Sequence, residues 1–274
     1  MKNNKNAFYY LINFLFIIGA IIAINYSRII SLNISIKLLL MLLVLFVVIH
    51  IFKFIKIYFI LLEEVIPLKK MIKLYVKTTF VSMVLPYKIG ELFKMYSYGK
   101  EINNYSKGIV AVLIDKFFDA LVLCIVLIPY GVLIHGNISR LAWIMLLFVL
   151  TILLIYVSFK GTYYYLNKFF IGKVKNKKSI YALGIIEKAN EIYEILCLTG
   201  ISWIVEAIFI QIMAGFTGYE TGFMTIINYI SDAFFGKSNL LFNNYIYLGT
   251  AIFLILILAI YIKKFINIIL KRKE

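Results

Sequence analysis

Six apolar runs of membrane-crossing length limit what this chain can fold into more than any other feature of its sequence. They cover about Ala7–Asn25, Ile36–Leu62, Gly108–Ile134, Arg140–Phe159, Leu196–Phe216 and Asn244–Ile262. Each is close to the ~20 residues that an α-helix needs to cross a hydrocarbon core of about 30 Å. Lipid offers no partner to a backbone N–H or C=O, so runs of this kind fold as helices that satisfy their own hydrogen bonds. With 63% hydrophobic residues and a mean hydropathy of +0.95 over 274 residues, the chain reads as a single all-α polytopic membrane domain, residues 1–274. No connection between the runs reaches the roughly 50 residues of an independent soluble domain.

The net charge of +16 belongs to the connections. In a soluble protein it would suggest nucleic acid, but beside apolar runs it sets orientation and meets anionic lipid, so no nucleic-acid partner is expected. With the N-terminus taken as cytoplasmic, Lys2 and Lys5, the ten lysines from Lys53 to Lys107, the seven from Lys160 to Lys188 and the five basic residues from Lys263 onward fall on one side. The other side holds only Arg28, Lys37, Arg140 and Lys237, and Lys116 falls within a span. The excess of basic residues marks the cytoplasmic side, which places both termini there and the protein in the cell membrane. The first run is longer than the core of a signal peptide and reads as a retained helix. Cys124 and Cys197 fall inside spans, where they read as small packing residues and not as a disulfide.

Two further apolar stretches, Thr78–Leu85 and Thr221–Ile230, are too short to cross. The first ends at Pro86 and Gly90; the second lies between Glu220 and Asp232 and is bounded by Gly222 and Gly236. Both read as re-entrant or broken helical segments, because irregular backbone survives at membrane depth only against protein or a wet cavity. Six spans, with one broken segment before the third and another before the sixth, divide the chain into halves 1–138 and 139–274. Three crossings per half invert the second half, a pattern found in transporters whose interrupted helices meet near the midplane. Ordinary amphipathic surface helices would produce short apolar pieces as well.

Charges at membrane depth are costly and mark candidate functional residues. Pro86 and Gly90 can turn a half-helix back toward the side it entered from, since one lacks a backbone donor and the other tolerates unusual torsions. Lys88 and Lys94 flank Glu91 on successive turns, a spacing suited to holding a phosphate while Glu91 anchors a cation or a loop. An interfacial helix whose lysines reach up to headgroups is the competing reading. Asp115 and Asp119 share one helix face, with Lys116 about 100° away. Only 15 apolar residues, Ala120–Ile134, follow them, so these charges must enter the bilayer. The two carboxylates require a cation, with Lys88 or Lys94 as the expected partner, and the pair serves either as a lining for a headgroup pathway or as a lock between helices. Glu206, one turn from Trp203, is the only acid of the fifth span core and reads as a protonated or paired group.

No catalytic constellation emerges. His50 and His135 are far apart and lack metal-ligand spacing, and no Gly-rich phosphate loop or Ser, His and acid grouping is present. No metal and no cofactor are expected.

These residues resemble the flippase-like family defined by the transmembrane region of lysylphosphatidylglycerol synthase. Pro86, Lys88, Gly90, Glu91 and Lys94 match that family's Pro-x-Arg-x-Gly-Glu-x-x-Arg pattern with Lys for Arg. Asp115, Lys116 and Asp119 match its Glu-Arg-x-x-Asp element with a shorter acid and Lys for Arg, and Trp203 and Glu206 match its Trp-x-x-Glu element. The later Pro-Gly-Gly-x-Gly-x-x-Glu turn is replaced by Gly215–Gly222, which has no proline. The resemblance covers the membrane part only, without an aminoacyl transferase domain. It implies a transporter that moves polar or glycosylated lipids between leaflets. Taken with the residues above, the chain reads as a translocator of a polar, anionic or glycan-bearing lipid, with Lys88 and Lys94 attracting the phosphate, Glu91 and Asp119 holding the basic residues, and Glu206 coupling protonation to movement. A non-transporting scaffold that recruits a lipid- or glycan-modifying enzyme is the alternative.

Overall fold

The computed structural model describes residues 36–64, 66–85, 89–170, 192–235 and 240–270. Among them there is no strand, and eight α-helices follow one another: α1 (Ile36–Ile60), α2 (Leu68–Val84), α3 (Ile89–Ile102), α4 (Tyr105–His135), α5 (Arg140–Phe170), α6 (Ile192–Thr217), α7 (Phe223–Phe235) and α8 (Leu240–Leu270). The expected first span, Ala7–Asn25, lies outside the described residues, as do Pro86 and Lys88.

Four helices, α1, α4, α6 and α8, are long and apolar enough to cross a membrane, and α5 opens with a shorter apolar stretch, Arg140–Ile155. Their outward faces are apolar: Leu133 is 81% exposed, Leu154 66%, Ile255 65% and Ile204 62%. Water would not tolerate such a surface, whereas lipid solvates it, so the molecule is an integral membrane protein.

The stretch Thr78–Leu85 proves to be the last part of a 17-residue helix, α2. Hydropathy misses its beginning because Lys69, Lys70 and Lys73 break the apolar run, yet Met71, Tyr75, Val76, Thr78 and Thr79 form one buried face. Helix α2 stops at Leu85, which is extended at φ −84° and ψ 130°. Leu85 precedes Pro86, and the proline ring disfavours helical torsions at the residue before it. Helix α3 then runs back along α2. At 1.5 Å per residue the two arms are about 25 Å and 21 Å long, so this helical hairpin can enter a hydrocarbon core of about 30 Å without crossing it.

A tight connection follows. Asn103 takes a left-handed conformation at φ 57°, and the Asn104 side chain accepts a hydrogen bond from the backbone N–H of Lys107 at 3.3 Å, capping α4. The far end of α4 closes at Gly136, φ 65°, whose N–H bonds back to carbonyls of the last turn.

Helix α1 packs along α6, α4 lies between α3 and α5, and α2 rests on α8. In the inverted arrangement α1 and α6 are the second and fifth spans, which hold equivalent places. Phe223 at the start of α7 also meets Tyr130 of α4, with ring centroids 4.1 Å apart. The described residues of the second half nonetheless contain one short helix, α7, where the first half has the paired α2 and α3. Cys124 is buried as a packing residue, whereas Cys197 is exposed on α6, which corrects the reading of both as packed. Position on a helix of nearly uniform hydropathy does not reveal which face meets lipid.

Candidate functional site

Two close approaches of backbone build the site. Gly90, in the first turn of α3, lies so near α2 that a Cβ there would fall 2.2 Å from Ser82 Cα. Gly108 does the same between α4 and α3, where a Cβ would be 2.3 Å from the backbone nitrogen of Gly99. With both glycines in place, α3 is clamped between α2 and α4, and its charged face meets the charged face of α4.

The outcome is a chain of alternating charges across three helices. Lys94 lies 3.2 Å from Glu91 on α3, and Glu91 lies 3.5 Å from Lys116 of α4. Lys116 in turn lies 3.7 Å from Asp119, and Asp119 lies 2.8 Å from Lys56 of α1, which also pairs with Asp115 at 2.6 Å. Three lysines face three carboxylates, so the group is neutral in sum. Lys56 is 1% exposed. Its ammonium has three donors, and within 3.4 Å it finds both aspartates and the Asp115 carbonyl oxygen. Burying a lysine so fully is tolerable only because the two charges opposite it and the carbonyl replace water.

A second pair stands one turn further along α1. Lys53 donates to Glu206 Oε2 at 2.6 Å and lies 5.7 Å from the centre of the Trp203 ring. Tyr229 of α7 donates to the other oxygen, Oε1, at 3.1 Å. Glu206 is 4% exposed, and both of its oxygens are engaged. Still further along α1, His50 bonds Tyr75 of α2 at 2.9 Å through Nδ1 and meets Tyr245 of α8 at 3.5 Å through Nε2. A neutral imidazole accepts from one phenol and donates to the other.

Depth follows from helix rise. Lys70 pairs with Glu101 and Lys107 with Glu64 at the open end of the hairpin. Glu91 and Lys116 lie about 15 Å further along their helices, half the thickness of a hydrocarbon core. The alternating charges therefore lie about 15 Å from the open end of the hairpin, toward its other end.

Of the residues singled out from sequence, Glu91, Lys94, Asp115, Lys116 and Asp119 come together, and Gly90 makes their approach possible. Glu206 belongs to the adjacent pair. Lys88 and Pro86 lie outside the described residues. The cation expected opposite Asp115 and Asp119 was Lys88 or Lys94; among the described residues it is Lys56, while Lys94 turns to Glu91. Lys53 and Lys56, which the charge count assigns to the cytoplasmic side, belong to α1, inside a candidate span. The signal that could have found them was present: two lysines three residues apart within an apolar run, opposite acids that require a cation. Tyr229 and His50 gave no comparable signal, because an aromatic or a lone histidine in an apolar stretch is ordinarily packing.

The family model for the lysylphosphatidylglycerol synthase TM region matches residues 10–235. No curated protein and no solved structure gives a match. The matched residues run through the hairpin, the alternating charges and α7, and the chain belongs to the family of the lysylphosphatidylglycerol synthase TM region.

Proposed function

We propose that this protein is a flippase of the cell membrane that moves an anionic or glycan-bearing lipid between leaflets, its headgroup passing the hairpin tip along the alternating charges. The observation that carries this reading is the arrangement of those charges. Glu91 touches two cations, Lys116 touches two anions, and Asp119 touches two cations. Such a chain can exchange partners stepwise. A phosphate that displaces Glu91 from Lys94 leaves Glu91 on Lys116, so no charge is stranded in low dielectric, where a lone ion costs several kcal/mol.

The residue roles follow from position. Lys94, and Lys88 immediately before Ile89, attract the headgroup phosphate. Glu91 and Asp119 hold the lysines between passages, and Asp115 keeps Lys56 neutralised. Glu206, bound by Lys53 and Tyr229, is the group whose protonation would release α6 from α1. A lipid-modifying enzyme is a natural partner of a protein that delivers such a lipid, and both termini are placed on the cytoplasmic side by the excess of basic residues there.

The test is translocation of fluorescent phosphatidylglycerol in vesicles that contain the purified protein. Lys94→Ala and Glu91→Gln should slow it by an order of magnitude or more, about 1.4 kcal/mol per factor of ten. Glu206→Gln should abolish the response to an imposed pH gradient. Wild-type rates in every variant would leave the charges as a lock between helices and favour the scaffold.

A further inference from the structure

The outward side of the hairpin holds a groove that the alternating charges do not use. It has a volume of about 390 Å³ and is lined by Lys70, Leu74 and Lys77 of α2 and by Phe93, Tyr96 and Lys100 of α3, among others. Its residues fall at intervals of three, four and seven, the spacing of one helix face, on both arms. Three lysines stand there against one acid, Glu101, which is taken by Lys70. Lys77 and Lys100 meet no carboxylate within ion-pair distance among the described residues. Each lies instead by an aromatic ring: Lys77 Nζ is 5.6 Å from the centre of Phe93, and Lys100 Nζ is 6.0 Å from that of Tyr96.

The vertical order of these residues is informative. Lys70 and Lys100 stand near the open end of the hairpin, level with the ion-paired layer. Lys77 lies about 10 Å further toward the tip, and Leu74 lies between the two levels. Helical side chains lean toward the N-terminus, so Lys77 leans back toward the open end and Lys100 toward the tip. The two cations thus lean toward one another just below the headgroup level, with Phe93 further inward, and that order matches a lipid whose phosphate sits near the surface. A soluble polyanion would have no use for the apolar part.

We infer that this groove is a resident-lipid site, which holds the phosphate of an anionic phospholipid between Lys77 and Lys100 with its first acyl carbons against Leu74, Phe93 and Tyr96. The inference does not rest on translocation, since the groove holds lipid whether or not the deep charges carry one across.

The test uses the full chain in nanodiscs and measures bound lipid by native mass spectrometry, with phosphatidylglycerol against phosphatidylcholine as probes. A basic residue near an anionic surface is worth about fivefold in partitioning, so the Lys77→Gln, Lys100→Gln double variant should lose about thirtyfold in preference for phosphatidylglycerol. A variant with the same change in net charge outside the groove, Lys69→Gln with Lys73→Gln, should stay within about threefold of wild type, the smaller effect expected of charges that do not touch the lipid. Lys77→Arg with Lys100→Arg should retain binding, which separates loss of charge from damage to the fold. Equal retention of phosphatidylglycerol by wild type and the Gln double variant would overturn the site. So would displacement of the lipid by inorganic phosphate or glycerophosphate at concentrations matching the lipid, because the groove would then be a site for a soluble anion.

Discussion

Lys56 shows how one residue can organise the middle of a membrane protein. Its stem crosses from α1 to α4, and its partners stand 59 and 63 residues away in the chain. Removing one member of a buried, hydrogen-bonded pair strands the others and typically costs about 3–5 kcal/mol, against almost nothing at a surface. Lys56→Ala should therefore lower the unfolding midpoint in detergent sharply. The double change Lys56→Met, Asp115→Asn should recover most of it, because Asp119 keeps Lys116 and the remaining two lysines and two carboxylates balance. Tyr229→Phe should cost less, about 1.5–3 kcal/mol for a hydrogen bond to a charged group, since Lys53 still neutralises Glu206. If Tyr229→Phe proved the more damaging change in the same thermal assay, the order of importance assigned to the two sites would be wrong. The need for a cation opposite Asp115 and Asp119 was legible from their spacing. Its identity was not, because sequence proximity favoured the lysines of the hairpin and only the packing of α1 on α4 brings a residue so distant in the chain into reach.

The hairpin of α2 and α3 sets the position of the charges, and its geometry depends on small residues. A side chain at position 108 would meet the backbone of Gly99 and the Met95 carbonyl oxygen, at 2.3 and 2.5 Å, and rigid backbone cannot yield as a flexible side chain would. Gly108→Val should push α3 from α4, lengthen the Glu91 to Lys116 pair and destabilise the protein by several kcal/mol, which thermal unfolding would read. Gly200→Ala on α6 is the matched control: nothing lies within 4 Å of a Cβ there, and alanine favours helix by about 1 kcal/mol over glycine. Equal loss in both variants would mean that glycine as such, and not close approach, is what the protein needs. The apolar runs revealed the long helices because composition alone marks a span. They revealed only the end of α2, whose lysines hide an amphipathic face that becomes visible once α8 and α3 pack against it. The short stretch Thr221–Ile230 likewise only overlaps α7, which starts at Phe223 and extends to Phe235.

At the scale of the molecule, α4 decides the topology. Its 31 residues make about 46 Å of helix, more than a hydrocarbon core of about 30 Å, so its two ends must emerge on opposite sides if it crosses. Asn103 lies just before its first turn, at the open end of the hairpin among the lysines, and Asn137 lies just past its last. The bias in basic residues predicts that Asn103 faces the cytoplasm. With Cys124 and Cys197 replaced by Ser, a membrane-impermeant maleimide applied to intact cells should therefore label Asn137→Cys at once and Asn103→Cys only after lysis. The reverse pattern would turn the molecule over, and the groove between α2 and α3 would then load from the outer leaflet. Labelling of both from one side would be more damaging, since α4 would not cross. Glu91 and Lys116 would then lie at no defined depth, and their charges would need no mutual neutralisation to be tolerated.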